Sequence, residues 1–544
     1  MTTPLRRAAL CLLAVLSTAR AAAQTVPVYG DIVDADTGKP LAARLYLQGA
    51  DGKWHFPKSV PPFGSAVRYE KRSGFNPNAT EYHTTLSAHQ WVAELPPGNY
   101  TAVVERGKEY LPLTNQFTVA VKPVEVKLPL KRWVDMAARD WFSGDAHNHR
   151  APAELESAML AEDVNVALPM IDWTTVDTVP PALSDKNMKG SFGARPVIVD
   201  PTHVWYPRNT EYEIFRSGGK AHTLGAFLVL GHKERFDIPV FPLRRVSERA
   251  HAEGGLIDLE KHNWPWSVAI VPVLKPDLFE LANNHHWRVE FGVRNWAVPA
   301  PPWMKLPGNG SGTDSELAWT HYGFETYYAL LNSGFRLKPT AGTANGVHPV
   351  PLGFSRVYVH CEGGFSYEKW MKGLGEGRSF VTTGPMLMAK ANGKHAGAEF
   401  KSKSPIELTF ELEAGFMATS PASVVQVVQV MHNGRAITNR VAGSVDELSA
   451  STLKQLKVNV LVEESGWFAL RTFDLCSGRQ FAHTAPWWVE IEGKPLRPRR
   501  EQADWFVQRT EEEIARNTGV LSAEQLAEFH EALAAWKKIQ ATAK

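Results

Sequence analysis

Cysteine is almost missing from this chain: Cys11, Cys361 and Cys476 are the whole supply in 544 residues. Cys11 lies in an N-terminal apolar stretch, which leaves two. Two thiols allow one disulfide and exclude a disulfide framework. Neither has metal-site spacing, so any metal must rest on histidine and carboxylate. Net charge is missing as well, with 59 basic residues facing 57 acidic ones for a formal +2. That balance carries no electrostatic footprint for nucleic acid. Beyond residue 24 no run approaches the roughly 20 apolar residues that span a bilayer, so no membrane span is expected in the mature chain.

What is present starts with a leader. Arg6 and Arg7 precede an apolar run from Ala8 to Leu16, followed by Ala19-Arg20-Ala21-Ala22-Ala23-Gln24. A basic start, a short apolar core and small residues read as a cleaved secretory signal over residues 1–24, delivering the chain to the periplasm or the exterior.

Residues 25–131 read as a β-sandwich: strand, tight turn and strand recur, as in Gln90-Trp-Val-Ala-Glu-Leu, Pro96-Pro-Gly-Asn and Tyr100-Thr-Ala-Val-Val-Glu. In residues 132–398 short apolar runs alternate with helical patterns, which argues an α/β layer or barrel. Residues 399–498 return to alternating strands, such as Ile406-Glu-Leu-Thr-Phe-Glu-Leu. Residues 499–544 form a helical tail. Ser522 with Gln525 make a capping box, and Leu526, Phe529, Leu533 and Trp536 form one apolar stripe.

The chemistry concentrates in the central region. Trp141-Phe-Ser-Gly-Asp145-Ala-His147-Asn-His149 carries an H-x-H triplet. In an extended run His147 and His149 share a face roughly 7 Å apart. Two neutral imidazoles from one strand can hold a divalent ion, with Asp145 on the same face as a further ligand or an orienting carboxylate. Glu211 and Glu213 follow in Asn209-Thr-Glu-Tyr-Glu, and His222 in Gly219-Lys-Ala-His. Glu260 and His262 come directly after Leu256-Ile-Asp-Leu, and share a face if the strand persists. One of His285 and His286 can ligate, since neighbours on a strand point opposite ways. Asp172 is a further candidate; His203, His232 and His348 read as structural. Trp264, Trp266, Trp287, Trp296 and Trp303 either line a pocket for sugar or aromatic groups or fill the core. Arg288 and Arg356 either grip an anionic group or form structural ion pairs.

The segment 141–149 resembles the opening motif of the PHP (polymerase and histidinol phosphatase) superfamily, in its CehA/McbA-like metallohydrolase branch. Leu331-Asn-Ser-Gly-Phe-Arg, Thr340-Ala-Gly-Thr-Ala-Asn-Gly, Gly353-Phe-Ser-Arg-Val-Tyr-Val, Gly377-Arg-Ser-Phe-Val-Thr-Thr-Gly-Pro-Met-Leu and Phe481-Ala-His-Thr-Ala-Pro-Trp-Trp-Val carry the likeness onward. Residues 25–131 resemble carboxypeptidase regulatory-like (transthyretin-like) modules, through the turns Asp34-Ala-Asp-Thr-Gly-Lys-Pro and Pro96-Pro-Gly-Asn-Tyr; a spacer or a binding role would follow. The PHP resemblance implies a distorted (β/α)7 barrel holding a multinuclear metal site. Two positions depart from it: Trp173 stands where a histidine is expected, and Ala344 where an aspartate is. Neither can ligate, which points to one or two ions of Zn, Mn or Fe.

The metal ligands expected are therefore His147, His149, Glu213, His222, Glu260, His262 and His285, with Asp145 and His222 orienting a ligand or shuttling a proton. The expected activity is hydrolysis of a phosphoester, carbamate, ester or amide by metal-activated water. The alternative is a non-catalytic glycan- or peptide-binding protein on a degenerate barrel. A serine hydrolase is disfavoured, because Gly310-Ser311-Gly312 lacks the G-x-S-x-G elbow.

Overall fold

The computed structural model describes residues 25–74, 76–286, 297–307, 316–415, 417, 426–441, 451–474 and 480–544. The expected signal over residues 1–24, and Cys476, Trp287, Arg288 and Trp296, lie outside the described residues. The architecture is multidomain, α/β plus β, with more of the described residues in strands than in helices. No helix among the described residues is long and apolar enough to cross a membrane.

Residues 25–131 form two facing sheets, one of four strands and one of six. Trp91, Val28 and Leu128 from the first meet Leu45, Ala102 and Val104 from the second in one core. The turn after the first strand is closed by Asp34, whose carboxylate accepts hydrogen bonds from Asp36 N, Thr37 N and Thr37 Oγ1. An aspartate side chain that mimics a backbone turn in this way explains the local Asp-x-x-Thr pattern.

The central region is built on parallel strands with helical crossovers. Trp141–Asn148 pairs in parallel with Val166–Pro169, and the helix Pro152–Glu162 connects them. Leu256–Leu259, Leu278–Ala282 and Lys338–Ala341 are successive parallel neighbours. The helices Val271–Leu274 and Glu316–Asn332 fall between them. The last of these strands returns to the first, where Thr343 N and Ala344 N both donate to His147 O. Ligand sites in such sheets form beyond the carboxyl ends of the strands, where His147, Glu260 and loop 342–348 lie.

The strand Trp141–Asn148 is buried along its whole length, flanked by Val166–Pro169 on one side and Arg356–His360 on the other. Gly144 is needed there for room: a Cβ would stand 2.3 Å from the ring of Trp370. Trp370 uses that closeness to donate from Nε1 to Phe142 O at 2.9 Å.

One sheet runs straight across the boundary expected at residue 398. Its order places Trp141–Asn148, Arg356–His360, Ser379–Thr382, Phe481–Thr484 and Gly466–Asp474 side by side. Met386–Ala391 pairs with Ile406–Gly415, so the C-terminal β region shares its strands with the centre. Two helices, Arg500–Asn517 and Ala523–Gln540, close the chain. The capping box of Ser522 and Gln525 is formed, and Phe529 and Ala532 join a core with Phe241 and Trp266.

Candidate metal centre

Four strands bring their polar residues to one buried point. His147 ends Trp141–Asn148, and Glu211 sits in Asn209–Ser217. Glu260 directly follows Leu256–Leu259, and Glu280 lies within Leu278–Ala282. Glu211 and Asp258 both pair with Leu228, which sets their strands level. Glu211, Asp258, Glu260, Glu280 and both histidines of the H-x-H triplet are buried.

His147 is the hub. Its Nδ1 lies 2.9 Å from Glu280 Oε1 and 3.4 Å from Glu260 Oε2, and its Nε2 is 3.8 Å from Glu211 Oε1. His149 Nε2 is 3.5 Å from Glu211 Oε2. The two rings meet edge to face with centroids 5.3 Å apart. His147, His149 and Glu211 form one group whose ligand atoms lie within 4.8 Å of one another, and His147, Glu260 and Glu280 form another. One imidazole serves both groups through its two nitrogens.

Two lysines enter from the cavity side. Lys186 Nζ stands 3.1 Å from Glu211 and 2.8 Å from Glu213. Lys261 Nζ stands 2.8 Å from Glu260, 3.0 Å from Glu213 and 3.3 Å from Glu211. Trp173 packs under the Lys186 ammonium, 4.1 Å from ring centroid to Nζ, and donates from Nε1 to Glu213 at 3.2 Å. The residue that departs from the expected histidine thus holds the lysine–glutamate network.

The charges respond to this crowding. Burial opposes a proton on His147, yet Glu260, Glu280 and Glu211 hold its pKa up to about 9. Burial pushes Glu260 up to about 7 against the pull of Lys261 and His147. Burial also resists the charge on Glu211, but Lys186 and Lys261 keep it well below the usual carboxylate range. Desolvation drives His149 well below an ordinary imidazole.

The donor set fits a divalent ion. Glu211, Glu213 and Glu260 meet the two ammonium groups and Glu280 meets only the His147 ring, so a cation that displaces the His147 proton finds carboxylates in excess of lysines. Three buried polar atoms of this cluster, His147 Nε2, His149 Nδ1 and Glu260 Oε1, have no hydrogen-bond partner among the described residues. Unpaired buried polar atoms are costly and demand a reason. Nitrogen and carboxylate oxygen together suit Zn, Mn or Fe.

Asp145 stands behind the centre. It accepts hydrogen bonds from Thr343 Oγ1, Gly353 N and His147 N at 2.5, 2.9 and 3.1 Å. Its burial pushes it up to about 6 against those hydrogen bonds. Its contacts fix loop and strand, as an orienting carboxylate does.

Other expected residues stand elsewhere. His222 is not brought to the centre: its Nε2 lies 2.7 Å from Asn517 Oδ1 and 3.1 Å from Arg516, on the tail helix. The hairpin after Asn209–Ser217 sets His222 N on Phe215 O, four residues along the strand from Glu211, roughly 13 Å. His262 is turned away because Lys261 has φ +48° and breaks the strand alternation that would have put Glu260 and His262 on one face. Its ring instead stacks with Phe279, Trp319 and Tyr322. Neither of its nitrogens has a hydrogen-bond partner among the described residues, and burial drives its pKa down to about 3. Glu213 and His285 line the cavity without joining either close group. Asp172 pairs with Arg235 at 2.9 Å.

The cavity in front of the centre has a volume of about 500 Å³, with Phe215, Trp264, Trp319 and Val347 among its walls. Trp266 is core, and Trp303 packs edge-on against Trp505. Arg356 is fully buried on the carbonyls of Glu162, Asp163 and Gly353, a structural role. His348, read from sequence as structural, lines the cavity. Glu280, Lys186 and Lys261 were not singled out by sequence. A lone glutamate inside the apolar strand Leu278–Ala282 was a usable signal, since an unpaired buried carboxylate is prohibitively costly.

No family model matches this chain, and no curated protein matches it. Among solved structures it is similar to the CARDB domain of a Pyrococcus furiosus protein, crystallised in complex with di-metal ions. That likeness has 15% identity and a TM-score of 0.14, covering 20% of this chain and 96% of that domain. So loose a superposition says nothing about the present fold or site.

Proposed function

We propose that the protein is an exported metal-dependent hydrolase of PHP type, with the two central sheets as halves of a distorted barrel. One observation carries the reading: His147 offers Nδ1 to Glu280 and keeps Nε2 unpaired beside His149 and Glu211. A carboxylate on one imidazole nitrogen fixes the tautomer and aims the other lone pair at a metal. The ion would be held by His147 Nε2, His149 and Glu211. When bound, it supplies Lewis acidity and an activated water for attack on a phosphoester, carbamate, ester or amide.

The chain's own residues do the rest. Glu280 orients His147, and Asp145 holds the strand end to Thr343 and Gly353. Lys261 binds one oxygen of Glu260 and leaves Oε1 to take a proton or to join a second ion. Trp264 and Trp319 give the cavity apolar walls that exclude water. The test is turnover of an ester and phosphoester panel by the purified chain, before and after chelation. Loss on chelation and recovery with Zn, Mn or Fe supports the reading; undiminished turnover after complete stripping refutes it.

A second reading rests on Lys186 and Lys261. Their ammonium groups already neutralise half of the carboxylate charge, as they would in a barrel that binds glycan or peptide without chemistry. That reading expects little metal in the wild-type chain and ligand binding that survives His147→Ala.

A further inference from the structure

We propose that Tyr69, on the N-terminal β domain, is a positioning residue for the metal centre: its hydroxyl clamps loop 342–348 onto the strand end that carries His147 and His149. The proposal rests on the metal-site reading above, and assigns the β domain a part in building the site.

The phenol of Tyr69 reaches out of the strand Ala66–Arg72 and is buried at the junction of the two regions. Its hydroxyl donates to His348 O at 2.7 Å and accepts from Gly346 N at 2.9 Å. A hydroxyl can do both at one atom; an ammonium only donates and a carboxylate only accepts. The ring is held between neighbours. His83 stacks at 5.1 Å with an interplanar angle of 30°, and the Arg150 guanidinium lies 4.5 Å from the centroid. Burial pushes the phenol pKa up, so it stays a neutral donor.

The loop it holds is improbable by itself. Ala344 has φ +46° and Gly346 has φ +99°, two left-handed residues within three positions, of which only the glycine adopts the region freely. A Cβ on Gly346 would stand 2.2 Å from His149 O, so the loop lies directly on the H-x-H backbone. His149 N donates to Asn345 O at 2.7 Å, and Asn187 Nδ2 donates to Gly346 O at 3.0 Å. The side chains of Ala344, Val347 and His348 line the cavity. Tyr69 therefore adds, from another domain, two hydrogen bonds to a loop whose own closure is Val347 N and His348 N on Ala344 O and Asn345 Nδ2 on Val350 O.

The competing role is plain docking of two domains, and other residues already provide it. Arg106 binds Asp163 at 2.8 Å and the carbonyls of Ala42 and Leu160, away from the loop. The full chain should be compared as wild type, Tyr69→Phe and Arg106→Met. Three readouts apply: amide exchange of residues 344–348 in metal-free protein, zinc affinity by chelator competition, and the visible spectrum of the cobalt-loaded protein.

Tyr69→Phe should speed exchange in 344–348, weaken zinc about tenfold, as loss of an outer partner does, and alter the cobalt spectrum, with melting within a few degrees of wild type. Arg106→Met should lower the melting temperature yet leave the other three readouts at wild-type values. Wild-type exchange and affinity in Tyr69→Phe would overturn the proposal, as would equal losses in Arg106→Met. If the wild-type chain binds no zinc or cobalt, the metal reading fails, and exchange alone decides the clamp: faster exchange confined to 344–348 upholds it, unchanged exchange overturns it.

Discussion

His147 is held at Nδ1 by Glu280 Oε1 at 2.9 Å, while its Nε2 points at no hydrogen-bond partner among the described residues. The pair joins two strands that are 133 residues apart in sequence. It determines which imidazole lone pair is available and in which direction.

Glu280→Gln tests that relationship. The amide keeps the shape but loses the negative charge that stabilises the Nδ1 proton. Zinc affinity should fall by about 10–100-fold, with far-ultraviolet circular dichroism unchanged. Wild-type affinity would show that Glu280 does not orient the ligand.

His262→Phe should leave metal content and turnover intact. Its ring sits among Phe279, Trp319 and Tyr322 without hydrogen bonds, so phenylalanine replaces an aromatic face and removes two buried polar atoms. Stability should hold or rise by about 1 kcal/mol in urea titration. Loss of metal in this variant would restore His262 as a ligand.

His222→Ala should act on the tail instead. It removes the hydrogen bond to Asn517, and the expected cost is about 1 kcal/mol in unfolding free energy. Metal content should not change; a drop in bound metal would contradict the placement.

The H-x-H pair and Glu260 were legible because each lies at the end of a short apolar run whose alternation could be followed. The capping box of Ser522 and Gln525 was legible because it is local. His262 was misplaced by one left-handed residue, Lys261, which no periodicity announces. His222 was misplaced by strand length, since nearness in sequence to Glu211 hid about 13 Å of extended chain between Glu211 and Phe215, the residue His222 pairs with. Glu280 and Lys186 depend on pairings far apart in sequence, and Tyr69 belongs to another domain altogether.

Acid should reveal the domain junction. Burial works against the charge on Asp163, but Arg106, His203 and Arg132 hold its carboxyl far below the usual range. A depressed folded pKa contributes stability that is present above the unfolded value, near 3.8, and is lost as pH falls toward the folded one. Asp163→Asn should therefore cost about 3 kcal/mol at pH 7, and the gap to wild type should narrow below about pH 4. Urea midpoints at several pH values measure it; a gap that widens on acidification would contradict the assignment.

The central claim is that His147, His149 and Glu211 hold a metal ion. The most direct measurement is metal content of the purified full chain after exposure to excess Zn, Mn or Fe and removal of free ion, beside His147→Ala and His149→Ala. The account predicts about one tightly held ion per wild-type chain and near-complete loss in both variants. A wild-type chain without bound metal, or variants that keep it in full, would contradict the account.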